Sequence, residues 1–85
     1  MQTINKPILT LYGRPDCHLC DDMLAALEDL RSEHEFAVAV MDVDTCPEWL
    51  DVYGEFIPVL TLAGEEICHY FLDMAKVREV LGRFR

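Results

Sequence analysis

Two of the four cysteines in this 85-residue chain, Cys17 and Cys20, are separated by only two residues. Wound into the first turn of a helix, that spacing brings the sulfurs within disulfide reach. Backbone N–H groups at a helix start lack intrahelical partners, and the macrodipole leaves positive potential there. Both favour a thiolate over a thiol. An ordinary thiol with a pKa of about 8.5 is only about 3% ionised at pH 7, whereas one lowered to about 6 is roughly 90% ionised. Cys17, at the helix start, is therefore placed as a nucleophile. Cys20, one turn further in and toward the apolar side, is placed to resolve a mixed disulfide. The rival chemistry is metal, with Cys46 and Cys68 completing a zinc site. Zinc sites favour a second close cysteine pair or paired histidines, and neither stands in this chain. No metal ligand is assigned.

The elements around the pair follow from hydrophobic spacing. Ile8–Tyr12 is a short β-rich run closed by Gly13-Arg14-Pro15-Asp16, a buried strand and then a turn. Cys20, Met23/Leu24, Leu27 and Leu30 recur at helical spacing, and Pro15 and Asp16 suit a helix start at or beside Cys17. The apolar run Phe36–Met41 predicts a strand buried on both faces. Strand, helix and strand within about 35 residues form a βαβ unit, so these strands are expected parallel. Thr45-Cys46-Pro47-Glu48 has the pattern of a capping box, opening a short helix with Trp49, Leu50 and Tyr53 that Gly54 stops at C′. Ile57–Leu62, the connection Ala63-Gly64-Glu65 and Glu66–Tyr70 predict a hairpin. Asp73 caps a last helix with Met74, Val77, Val80/Leu81 and Phe84 along one side. Pro58 cannot donate to a ladder, so it is either at an edge or in a special bond geometry.

Hydrophobic residues are 52% of the chain and charged residues 27%, a folding composition for one domain spanning residues 1–85. Seven basic residues against sixteen acidic ones give a formal charge of −9. That balance repels phosphate backbones, so neither nucleic acid nor a membrane surface is an expected partner. No apolar run approaches the roughly 18 residues of a membrane span, and the first seven residues lack an apolar signal region. A soluble, cytoplasmic protein is expected.

A C-x-x-C opening the helix of a βαβ unit is a thioredoxin-like redox signature. The run Tyr12-Gly13-Arg14-Pro15-Asp16-Cys17-His18-Leu19-Cys20 resembles the glutaredoxin branch of the thioredoxin superfamily, in particular its small glutaredoxin-like proteins. Ile57-Pro58 is similar to that family's hydrophobe–cis-proline pair, and order and spacing agree along essentially the whole chain. The resemblance implies an α/β thioredoxin-like fold, β-α-β-α-β-β-α, with a four-stranded mixed sheet and helices on both faces. It implies thiol–disulfide oxidoreductase activity through Cys17 and Cys20, with Tyr12, Arg14, His18, Ile57 and Pro58 contacting a protein or low-molecular-weight disulfide. His18 also acts on the thiolate, favouring it when protonated, against Asp16, Asp21 and Asp22. No cofactor is implied beyond glutathione as a candidate co-substrate, whose carboxylate Arg14 would take.

The chain departs from its relatives at named places. Asp16 and Leu11 stand where thioredoxins carry a tryptophan and a buried acid, and His18-Leu19 stands where glutaredoxins usually have Pro-Tyr. Ile67–Asp73 contains no Gly-Gly, the pair that helps hold glutathione, so weak glutathione affinity is expected. Cys68 and His69 occupy that place, while Trp49 and Tyr53 read as packing residues. The alternative function is a thioredoxin-like binding module, or a metal or iron–sulfur carrier without redox turnover.

Overall fold

The structure, a computed structural model, describes residues 6–83. Its order is β1 (Ile8–Gly13), α1 (His18–Leu30), β2 (Ala37–Asp42), a single 3-10 turn (Val43–Thr45), α2 (Pro47–Tyr53), β3 (Val59–Leu62), β4 (Glu65–His69) and α3 (Met74–Leu81). Phe84, expected on the last helix, lies outside the described residues.

The four strands form one sheet in the order β2-β1-β3-β4. β1 pairs parallel with β2 and antiparallel with β3, and β3 pairs antiparallel with β4. Side chains alternate across β1. Leu9 and Leu11 enter a core with Met23, Leu27 and Leu30 of α1 and Val77, Val80 and Leu81 of α3. Tyr12 takes the opposite face, where its ring stacks on Tyr53 of α2 at 4.2 Å and meets Trp49 edge-on at 5.4 Å. Helices therefore cover both faces of a mixed sheet, as expected.

Five local expectations are corrected. β2 is not buried on both faces. It is an edge strand, Val40 is 58% exposed, and Phe36, though buried, precedes the strand. An apolar run reports burial only on average, and Ala and Val are small enough to be tolerated at an edge. The capping box is also absent. The 3-10 turn moves the helix start one residue on, so Cys46 is the N-cap without a side-chain bond, and the Thr45 hydroxyl donates backward to the Asp42 carbonyl at 2.7 Å. Pro47 does open α2, and Gly54 ends it as a right-handed C-cap rather than at C′.

β3 begins at Val59, leaving Ile57 and Pro58 before the ladder, because proline has no N–H to give it. The hairpin is one residue tighter than expected. Ala63 and Gly64, at φ 53° and 85°, make the two-residue turn, and β4 runs from Glu65 to His69. Asp73 caps α3 as expected, its carboxylate accepting the Lys76 N–H at 3.1 Å.

Leu27 is fully buried at the centre of the α1–sheet contact. Leu27→Ala should cost about 2–5 kcal/mol of unfolding free energy in urea melts, whereas Val40→Thr on the outer strand should change it by no more than about 0.5 kcal/mol.

Candidate functional site

The sheet register brings four chain segments out at one end. Gly13 pairs with Asp42, Tyr12 with Val59, and Val59 with His69. The residues just beyond these pairs are the cysteine turn, the 3-10 turn after β2, Ile57-Pro58 and Tyr70.

Cys17 is itself the N-cap of α1, with φ −98° and ψ 112°, and its Sγ accepts the Cys20 N–H at 3.2 Å. Asp16 is not the cap; at φ 63° it turns the chain into the helix. The sulfur thus occupies the place where a serine or aspartate oxygen usually satisfies a helix N-terminus. A hydrogen bond from an N–H to sulfur favours the ionised form of a reduced thiol. Cys17 and Cys20 are joined in a disulfide with their Cα atoms 5.1 Å apart. Cys17 is half-buried, whereas Cys20 is almost completely buried.

Gly13 explains how Cys20 fits. A Cβ on Gly13 would lie 2.6 Å from the Cys20 Sγ, closer than real contacts allow. The sulfur packs directly on the β1 backbone. Its other side opens to a cavity of about 260 Å³ bordered by Leu11, Arg14, Val40 and Asp42. Sequence reasoning treated Gly13 as a turn residue only, and its place one step before the turn, within β1, was the available signal.

The remaining predicted residues are placed as follows. Arg14 grips Asp44 through two bonds, Nε to Oδ2 at 2.9 Å and Nη2 to Oδ1 at 3.2 Å, which raises the guanidinium pKa above its ordinary value. Both partners of this pair are solvent-exposed. Tyr12 is held in the stack with α2. Its phenol is pushed up by burial first, then by the neighbouring Tyr53 and Cys46. His18, the first residue of α1, is exposed. Pro58 is fully buried, the Ile57–Pro58 bond is cis, and the Pro58 carbonyl accepts the Tyr70 N–H at 2.9 Å. Among the described residues the backbone of half-buried Ile57 makes no hydrogen bond.

Tyr70 directly follows Cys68 and His69, which stand in place of the glycine pair. It has φ 64°, a left-handed conformation that costs a bulky residue on the order of 1–3 kcal/mol. The Phe71 N–H closes a γ-turn onto the His69 carbonyl at 2.7 Å. Besides its N–H bond to Pro58, Tyr70 donates its hydroxyl to the Glu55 carbonyl at 3.0 Å, so two bonds hold the strained residue.

Among the described residues, no group of three or more His, Cys, Asp or Glu side chains is arranged to hold a metal ion. Cys46 instead faces Glu48, and Cys68 packs against the core. Burial pushes the Cys68 thiol above its ordinary pKa, helped by the charges of Asp73 and Glu66, against the Asp73 backbone N–H and Lys76. No helix among the described residues is long and apolar enough to cross a membrane.

Residues 8–82 match the family described as Glutaredoxin-like domain (DUF836). The chain belongs to that family. Protein Ne2328 of Nitrosomonas europaea, solved by NMR, superposes on this glutaredoxin-like chain with a TM-score of 0.85 at 32% identity, covering 95% of this chain and 98% of its own. A thioredoxin from Halobacterium salinarum shares the fold with a TM-score of 0.64 at 24% identity, over 94% of this chain and 75% of the thioredoxin. An uncharacterized protein of Mycobacterium tuberculosis is 27% identical over 94% of this chain and 88% of its own length. A cysteine pair at disulfide distance in a thioredoxin-like fold is consistent with a redox role.

Two expectations follow from this geometry. Gly13→Ala should lower stability by about 1–3 kcal/mol through overpacking and should slow re-formation of the Cys17–Cys20 disulfide after reduction. Urea melts and thiol titration over time measure both. Cys68 should be alkylated at pH 7 more slowly than Cys17 in the reduced protein, as counted by mass spectrometry. Its raised pKa means the unfolded thiol ionises first. Its contribution to stability is therefore full below about pH 8.5 and is lost as pH rises through the folded value, a decline that Cys68→Ala should lessen.

Proposed function

We propose that this glutaredoxin-like chain is a thiol–disulfide oxidoreductase in which Cys17 attacks and Cys20 resolves. The observation that carries this reading is the asymmetry of the pair. Cys17 is accessible and accepts an N–H bond at a helix start, whereas Cys20 is shielded behind it against Gly13. In the reduced protein the Cys17 thiolate attacks one sulfur of a substrate disulfide, forming a mixed disulfide and releasing the other half as a thiolate. Cys20, deprotonated by solvent, then attacks the Cys17 sulfur. The Cys17–Cys20 disulfide forms, the second substrate thiolate leaves, and two electrons have passed from protein to substrate. An external dithiol or thiol returns them. No metal or cofactor takes part.

The unbonded N–H and C=O of Ile57 support binding of the substrate as an extended strand, by local β-augmentation. Tyr12 and Pro58 border that end of the sheet, Arg14 rims the cavity behind Cys20, and His18 adjoins the attacking sulfur. Glutathione fits poorly as co-substrate. Arg14 already pairs with Asp44, and Cys68 and His69, with the Tyr70 ring beside them, stand in place of the glycine pair. The formal charge of −9 favours neutral or basic partners over nucleic acid and anionic membranes, and the cysteine chemistry suits a reducing, cytoplasmic setting.

Replacing Cys17 by Ser should abolish reaction with a small disulfide such as bis(2-hydroxyethyl) disulfide. Cys20→Ser should accumulate the mixed disulfide on Cys17, seen as an added mass. If Cys20 rather than Cys17 carries the adduct, the assignment is reversed. Turnover coupled to glutathione and glutathione reductase should be weak beside that driven by a dithiol such as dithiothreitol, and robust glutathione turnover would show that Tyr70 leaves room for the tripeptide.

A further inference from the structure

Tyr70 and its neighbours form a surface that disulfide exchange by itself does not require. The left-handed turn at Tyr70 projects Phe71 into solvent, where it is 70% exposed. Tyr70 and Phe56 are 40% and 44% exposed. Their rings are linked through His69, with centroids 4.7 Å from Tyr70 and 5.5 Å from Phe56. On the other side, Tyr70, Phe71 and Leu72 face Leu19, Asp22 and Met23 of α1 across a groove of about 110 Å³. Leu19 lies between the two cysteines. An aromatic shelf therefore runs from the cysteine turn across the start of β3, and two hydrogen bonds from Tyr70 hold it there. Three exposed aromatic rings at one end of a small chain mark a binding surface more than chance exposure.

The charges around the shelf select its occupant. Asp22 lines the groove, Glu66 pairs with His69 at 2.6 Å, and Glu55 and Asp73 are exposed next to Phe56 and Leu72 in sequence. A second copy of this chain would oppose these carboxylates to their own images. A glutathione or phosphate anion would meet the same field. An apolar side chain flanked by lysine or arginine meets rings and carboxylates of opposite sign.

We propose that the shelf formed by Phe56, Tyr70 and Phe71, with its groove against Leu19 and Asp22, is a specificity subsite for protein disulfides. It takes an aromatic or large aliphatic side chain next to the reacting cysteine in an extended, basic segment. This rests on the oxidoreductase reading for its biological use, but docking on the shelf does not need the cysteine chemistry.

The test uses the full chain and short peptides whose cysteine is a mixed disulfide with 2-mercaptoethanol. One has Phe beside the cysteine and Lys or Arg flanks, a second has Ser for Phe, and a third has Glu flanks. Rates with the Phe–basic peptide, each divided by the rate with bis(2-hydroxyethyl) disulfide, should exceed those of the other two by about 10- to 100-fold. Phe71→Ser should erase most of that ratio, and Phe71→Leu should restore part of it. Phe71 is so exposed that neither variant threatens folding. In parallel, the Phe–basic peptide with Ser in place of cysteine is titrated by NMR, and the ring protons of Tyr70 and Phe71 should shift.

Equal ratios for all peptides, or a preference that survives Phe71→Ser, would overturn the proposal. So would a concentration-dependent dimer lost in Phe71→Ser without peptide selectivity, which would assign the shelf to a second copy. Failure of the chain to react even with bis(2-hydroxyethyl) disulfide would remove the oxidoreductase reading, and the NMR titration alone would then decide the docking.

Discussion

A sulfur resting on bare backbone sets the geometry of this protein. Cys20 packs on Gly13 so closely that a single added carbon would collide with it. That contact fixes how near α1 lies to the end of β1, and hence where Cys17 caps the helix. Leu27, Met23 and Leu30 supply the apolar area that keeps the helix down, but they would tolerate small slides that the glycine contact does not. One cysteine is therefore held rigidly and hidden, and the other is presented at a helix terminus with an N–H aimed at its sulfur.

Around this pair the chain has used groups that a ligand would otherwise find free. Arg14 pairs with Asp44, and next to the place of the missing glycine pair a strained tyrosine displays a phenylalanine. Strain at a non-glycine residue persists only where the surroundings over-determine it. Here the Pro58 and Glu55 carbonyls do so, which ties the aromatic surface to the same loop that carries the unbonded Ile57 backbone. The features that weaken the case for glutathione are the ones that build the proposed aromatic subsite.

Much of this was legible in the residues because it depends on near neighbours. The periodicity from Cys20 to Leu30, the Asp73 cap, the proline opening α2 and the hairpin around Gly64 are all decided within a few positions of chain. The C-x-x-C pair belongs to the same class, since helix geometry dictates the approach of residues three apart. Errors came where a local pattern had two outcomes. Thr45 had a capping-box sequence, yet the 3-10 turn before it sent its hydroxyl backward to Asp42. The run Phe36–Met41 was apolar enough for a central strand, yet its place in the sheet was decided by how β1 pairs with β3.

By itself, then, the sequence determined the order of the elements, the cysteine pair and the family, because each is written in spacing or in a short motif. Only the tertiary structure decided that β2 lies at an edge, that Arg14 pairs with Asp44, that Gly13 must be bare, and that Tyr70 turns left-handed to expose Phe71. Those facts join residues distant in the chain, such as Arg14 and Asp44 or Tyr70 and Glu55. Pairings of that kind are selected by packing of the whole chain, and no local propensity encodes them.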